Sequence, residues 1–209
     1  MGGFAHLATL VKRMKASRPQ ALLLNGGDSW QGSATALWTA GQDMVEASLE
    51  LGVDVMTGHW EFTHGAERVL QVVRNDFKDK LAFIAQNIVH EDSDAPVFDA
   101  YVMREQNGIP VAIIGQAFPC TPKANGAQFT PDWAVGIDEA RLQAMVNAVR
   151  AKGAQVVVLL RYGYRPQTGG AHFQDRHDIG RTYPRRRAGA QRGQKPRRGN
   201  RRHQRRIPR

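Results

Sequence analysis

LLNGGDSWQGSATALWTAGQDMVEASLELGVDVMTGHWEFTHG, residues Leu23–Gly65, decides the fold. Two apolar runs, Ala21–Leu24 and Val53–Met56, read as buried strands, and each leads into a glycine-bearing loop: Gly26-Gly27-Asp28 after the first, Gly58-His59-Trp60-Glu61 after the second. Between them Gln42–Leu51 carries Met44, Val45, Ala47, Leu49 and Leu51 among its apolar positions, which predicts a helix. Strand, loop, helix, strand, loop is a βαβ unit, and the loops at the carboxyl ends of parallel strands form its ligand crevice. An Asp in one such loop and a His in the next can meet around a metal ion. Taken alone, Asp28 reads better as a turn or capping Asp after Gly-Gly, and His59 is open to reading as a loop histidine with no ligand role.

Outward from this unit the same alternation continues. Residues 1–16 predict an amphipathic helix with Phe4, Leu7, Leu10, Val11 and Met14 on one face, stopped by Ser17-Arg18-Pro19. A helix is expected from about Gly65 to Arg74, a strand over Leu81–Ala85, an Asp-rich turn at Glu91–Asp94 and an extended run over Phe98–Arg104. Asn107-Gly108 marks a hairpin into a strand over Ile109–Gly115. Pro119 to Asp132 reads as loop, followed by a helix over Ile137–Ala151 and a strand over Gln155–Leu160. Strands alternating with helices predict an α/β sheet structure.

Residues Gly26–Ser33 (GGDSWQGS) resemble the Gly-Asp motif of the binuclear metallophosphoesterases of the calcineurin-like superfamily, in the 5′-nucleotidase branch. Gly58–Gly65 (GHWEFTHG) falls where that branch carries Gly-Asn-His-Glu-Phe-Asp-Tyr-Gly. The wording of Gly41–Val45 (GQDMV), of Leu51–Thr63 (LGVDVMTGHWEFT) and of Ile114–Pro122 (IGQAFPCTP) is similar to the SoxB-type thiosulfohydrolases of bacterial sulfur oxidation. The resemblance spans about residues 1–160. It implies a metallophosphoesterase-type α-β-β-α sandwich, here truncated, in which two sheets pack between helices. It implies two divalent metal ions, Mn in the SoxB type, with Asp28 as a bridging ligand and His59 at the position of the family's metal-binding Asn. Imidazole suits such metals. Trp60 stands where nucleotidases place a catalytic His; an indole cannot protonate a leaving group, which turns the reading from phosphomonoesters toward the sulfur branch. Glu61 is expected to orient His59 from behind, and Trp30 and Gln31 to line a pocket, core packing being the alternative for Trp30. His64, in place of the family's Tyr, is expected to be structural, and Asn87 is a weaker candidate to approach the site from a strand end. Cys120 has no His/Asn spacing that would make it a nucleophile. The implied reaction is hydrolytic release of sulfate from a thiosulfonate held on a cysteine of a sulfur-carrier protein, in the periplasm.

Charge divides the chain in two. Residues 161–209 hold 16 Lys/Arg and 2 Asp, leaving 13 basic and 17 acidic residues before them, so the net charge of +10 belongs to the tail. The expected organisation is a partial catalytic domain over 1–160 and a basic, low-complexity, disordered tail over 161–209. The tail also fits an out-of-frame translation. Moving the codons of Tyr162–Gly169 forward by one nucleotide permits Met-Asp-Ile-Asp-Leu-Lys-Leu. The same shift over Gly180–Arg185 permits Gly-Gly-His-Thr-His-Asp, the metal-binding signature that the resembled family carries near the end of its catalytic domain. In frame, that signature is missing. The family's Ser-His-Asn is replaced by Arg161-Tyr162-Gly163, and its early Asp-x-His has no counterpart. The chain is therefore expected to be inactive or nearly so. A rival from another class is nonspecific nucleic-acid binding through the Arg-rich tail; the shifted frame explains those residues better. A 5′-nucleotidase or other phosphoesterase is the alternative within the hydrolase class. The chain shows no signal peptide and no stretch fit to span a membrane.

Overall fold

Alternating burial along the strands builds four layers. The structure is a computed structural model that describes residues 3–162. Strands β1 (Leu24–Asn25), β2 (Val55–Met56) and β3 (Ala82–Phe83) form a parallel sheet in that order. A second sheet has β5 (Tyr101–Gln106) antiparallel to β6 (Ile109–Gln116), and β6 parallel to β8 (Val156–Arg161). β4 (Ile88–His90) pairs antiparallel with β7 (Trp133–Val135).

Side chains two apart share a face of a strand, and three apolar clusters follow from this. Val55, Ile84, Val111, Ile113, Val158 and Leu160 are buried between the two sheets. Met56 and Phe83, on the opposite face of the first sheet, pack with Val45 and Val69 from helices α3 (Gln42–Leu51) and α4 (Ala66–Gln71). Ala112, Ile114 and Val157, on the outer face of the second sheet, pack with Leu142, Val146 and Val149 of helix α6 (Glu139–Ala151). Helix, sheet, sheet, helix is the expected sandwich. Each fully buried aliphatic side chain in these clusters contributes roughly 1.5–3 kcal/mol over leaving it exposed.

Local signals account for the boundaries. Helix α3 opens after Gly41 and stops at Gly52, which takes the left-handed conformation and closes the last turn. Asp138 caps α6 by accepting a bond from the Arg141 backbone N–H at 2.9 Å. Asn107 and Gly108 both have positive φ, 52° and 77°, as a two-residue hairpin turn requires. Helix α1 (Gly3–Ala16) forms as expected, held through Lys15 to Asp54 at 3.1 Å, but it buries none of its residues.

Several expectations are corrected. The helix after Gly65 turns to a wider five-residue turn over Val72–Asp76, ending on the buried Phe77. The β4–β7 pair was not foreseen, because strands of three residues are too short to show a period. The stretch 119–132, read as loop, carries helix α5 (Thr121–Asn125), and a short helix α2 (Ala34–Trp38) lies between the first loop and α3. The tail proper, with its expected disorder and out-of-frame signature, lies outside the described residues, which end at Tyr162.

Candidate metal centre

Backbone contact brings the two glycine loops together. Gly27 has φ 91°, and a Cβ there would lie 2.9 Å from both the Thr57 carbonyl oxygen and the His59 nitrogen. Glycine is needed for conformation and for space. Asp28 follows with φ 64°, a left-handed residue that aspartate tolerates. Asn25 steadies the turn: its Oδ1 accepts the Gly27 N–H at 3.0 Å, and its amide donates to Ser29 Oγ at 3.1 Å.

Glu61 ties the loops from beneath. It is fully buried, accepting the Ser29 N–H on Oε1 at 2.7 Å and the His59 N–H on Oε2 at 2.7 Å. It therefore orients His59 through the backbone rather than through the imidazole.

The result is a facing pair. His59 is 5% exposed, and its Nδ1 is buried with no hydrogen-bond partner. That nitrogen lies 3.6 Å from Asp28 Oδ1, too far for a hydrogen bond. Donors bonded to one cation at about 2.0–2.2 Å stand roughly 3–3.5 Å apart. A buried, unpartnered imidazole nitrogen facing a half-buried carboxylate at that spacing fits two ligands of a metal ion. Among the described residues no group of three or more His, Cys, Asp or Glu gathers elsewhere or here.

Aromatic rings wall in the imidazole. Phe118 stacks on it at 4.1 Å and 26°, Trp60 lies parallel at 6.2 Å and 12°, and Tyr162 leans on it at 4.1 Å and 50°. Burial lowers the His59 pKa below its ordinary value, against the opposing pull of Asp28 and Glu61. A hydrogen bond to Asp28, aided by its charge, raises the Tyr162 phenol.

The lowered His59 predicts a pH dependence. Unfolded histidine takes up its proton near 6.5, while the folded imidazole does so only at lower pH. Between the two values the unfolded chain binds more protons, so stability falls as pH drops below about 6.5. With chelator present, the urea midpoint of the wild type is expected to fall from pH 7.5 to 5.5, and that of His59→Gln to fall less. Equal slopes would refute this.

The other candidates separate. Trp60 borders the pair and is partly exposed. Gln31 hydrogen-bonds Thr63 beside it. Trp30 is fully buried against Phe77 and Phe83, so it belongs to the core. His64 Nε2 contacts the Trp30 carbonyl oxygen at 3.0 Å, a structural role. Asn87 donates to the Ala117 and Gly136 carbonyls and accepts the Ala117 N–H, which leaves its amide committed to the fold. Sequence reasoning gave no site role to Phe118 or Tyr162. The available signal was position, since both follow the carboxyl ends of strands, β6 and β8.

No protein-family profile matches the chain. A 2′,3′-cyclic-nucleotide 2′-phosphodiesterase/3′-nucleotidase of Haemophilus influenzae is 23% identical over 77% of this chain and 27% of its own length. Rat 5′-nucleotidase is 28% identical over 58% of this chain and 22% of its own. The sulfate thiohydrolase SoxB of Thermus thermophilus superposes with a TM-score of 0.73 and 34% identity, over 78% of this chain and 30% of that one. The chain is homologous to the 5′-nucleotidase and calcineurin-like metallophosphoesterases. It spans about a quarter of the length of the curated relatives named here. Those relatives are hydrolases. No helix among the described residues is long and apolar enough to cross a membrane.

Proposed function

We propose that Asp28 and His59 form one side of the metal centre of a hydrolase acting on a sulfur oxoanion. The reaction is hydrolytic release of sulfate from a thiosulfonate on a cysteine of a periplasmic sulfur-carrier protein. The observation that carries this reading is Trp60. Its partly exposed ring lies 6.2 Å from that of His59, and an indole offers no proton to a departing alkoxide. The 34% identity to the Thermus thermophilus thiohydrolase supports it. A second reading, phosphate-ester hydrolysis, is favoured by the curated relatives, which are nucleotidases and a cyclic-nucleotide phosphodiesterase.

In either reading the bound metal supplies Lewis acidity and an activated water. The chain's own part is structural and electrostatic. Asp28 gives a carboxylate, His59 gives a neutral imidazole kept deprotonated by burial, and Glu61 fixes the distance between them. Mn2+ is the expected ion, by resemblance to the SoxB type. Two donors of the His/Asp class leave the ligand set short, so turnover by this chain alone is expected to be negligible.

The test is binding before catalysis. Mn2+ affinity, followed by electron paramagnetic resonance, is expected to drop about tenfold or more in Asp28→Asn and in His59→Gln. Unchanged affinity in both would remove the metal centre. Sulfate release from a cysteine-thiosulfonate peptide and phosphate release from AMP then separate the two readings: any turnover confined to AMP replaces the first with the second.

A further inference from the structure

The second sheet also grips His59. Beyond β6 the chain continues through residues 117–122, and this arm meets the His59 loop at backbone and ring. The Phe118 N–H donates to Gly58 O at 3.0 Å, and the Phe118 ring stacks on the imidazole at 4.1 Å. Thr121, 3% exposed, makes the remaining contact: its Oγ1 lies 3.3 Å from His59 O and 3.0 Å from Phe118 O. A hydroxyl has one proton to give, so the two carbonyls share it and the arm is joined to the loop. The arm is itself held. Asn87 pairs with both backbone groups of Ala117, at 2.8 and 2.9 Å, and Pro119 and Pro122 each fix their own φ.

We propose that Thr121 is a positioning residue for the metal pair, holding the His59 backbone so that the imidazole Nδ1 faces Asp28. His59 is tied on both sides of its Cα: Glu61 Oε2 accepts its N–H at 2.7 Å, and Thr121 donates to its carbonyl. With both peptide groups fixed, the Cα–Cβ bond has one direction, and the stacked Phe118 limits how the ring turns about it. The outcome is an Nδ1 that stands 3.6 Å from Asp28 Oδ1 with no hydrogen bond of its own. Glu61 acts from within the first sheet's loops, whereas Thr121 acts from the end of the second sheet. The spacing of the two donors therefore depends on how the sheets are held together. Groups that orient ligands without touching the metal govern affinity almost as strongly as the ligands do. The inference rests on Asp28 and His59 being metal donors, and the test separates the two claims.

Mn2+ is titrated into the full chain, Thr121→Val and Thr121→Ser. Electron paramagnetic resonance reads affinity, and the nitrogen modulation of the pulsed signal reads whether an imidazole is bound to the ion. Thr121→Val is expected to bind Mn2+ about tenfold or more weakly and to lose nitrogen modulation. Thr121→Ser, which restores the hydroxyl without the methyl, is expected to restore both. If Thr121→Val gives no soluble protein, Thr121→Ala, which adds no bulk, takes its place in the same comparison with Thr121→Ser. Wild-type affinity without the hydroxyl, a loss that Thr121→Ser does not repair, or a loss with nitrogen modulation intact overturns the positioning role alone. Mn2+ binding indifferent to Asp28→Asn and His59→Gln overturns the metal centre beneath it, and the positioning role with it.

Discussion

Gly115→Ala is expected to abolish folding or to cost more than about 4 kcal/mol, a large part of the ~5–15 kcal/mol that holds a domain together. Gly115 lies near the end of β6, with its missing side chain directed at the other sheet. A Cβ there would sit 2.1 Å from the Ile84 carbonyl oxygen and 2.4 Å from the carbonyl carbon. These are backbone atoms, so no rotamer change relieves the clash. Nor can either strand retreat freely. Gly115 O accepts the Gln86 N–H at 2.9 Å, and Gly115 N–H donates to Ala100 O at 3.0 Å. The Ile84 N–H in turn donates to Met56 O at 2.9 Å. Moving β6 away would break these bonds and open the apolar seam between the sheets. Gly136→Ala is the control: nothing lies within 4 Å of a Cβ there, and its effect is expected within about 0.5 kcal/mol. Soluble yield and urea denaturation read both variants. A Gly115→Ala protein with the wild-type midpoint would show that the sheets are not in contact at this point.

What the sequence makes legible follows the length scale of each feature. Helix α3 spans Gln42–Leu51 as its apolar spacing predicts, because ten residues complete nearly three turns and show their period. The Asn107-Gly108 hairpin is legible because two adjacent positive φ values restrict the residue choice. β4 and β7 are not legible, since neither is long enough to alternate, and they pair across more than forty intervening residues. The nearness of Asp28 and His59 is legible from the loops that carry them. The wall around His59 is not, because Phe118 and Tyr162 arrive from strands distant in sequence and neither ring carries a local signature. Trp30 went the other way. Its place between Asp28 and Gln31 suggests a pocket wall, yet its ring turns into the core against Phe77 and Phe83. Adjacent residues in a loop share a neighbourhood but not a direction.

Glu61→Gln is expected to damage stability and metal binding together, because one side chain sets the relation between both loops. Each carboxylate oxygen serves a different loop: Oε1 takes the Ser29 N–H at 2.7 Å and Ser29 Oγ at 3.3 Å, while Oε2 takes the His59 N–H at 2.7 Å. An amide of the same shape has one acceptor and one donor. Whichever way it is turned, an NH2 group meets a backbone N–H in a fully buried position. The loss of one charge-assisted bond and the stranding of a buried donor together cost about 3 kcal/mol or more. Glu61→Asp keeps both acceptors but is one methylene shorter, so it reaches one loop well and the other poorly, and an intermediate loss is expected. Because the pair it spaces is Asp28 and His59, Mn2+ affinity should fall by about 10- to 100-fold in Glu61→Gln, the range found when groups that orient ligands are removed. Urea midpoints and Mn2+ titrations of the two variants decide the matter. Lowered stability with unchanged Mn2+ affinity would make Glu61 a brace of the fold alone. Both unchanged would mean that the two loops hold their spacing through Gly27 and the backbone without it.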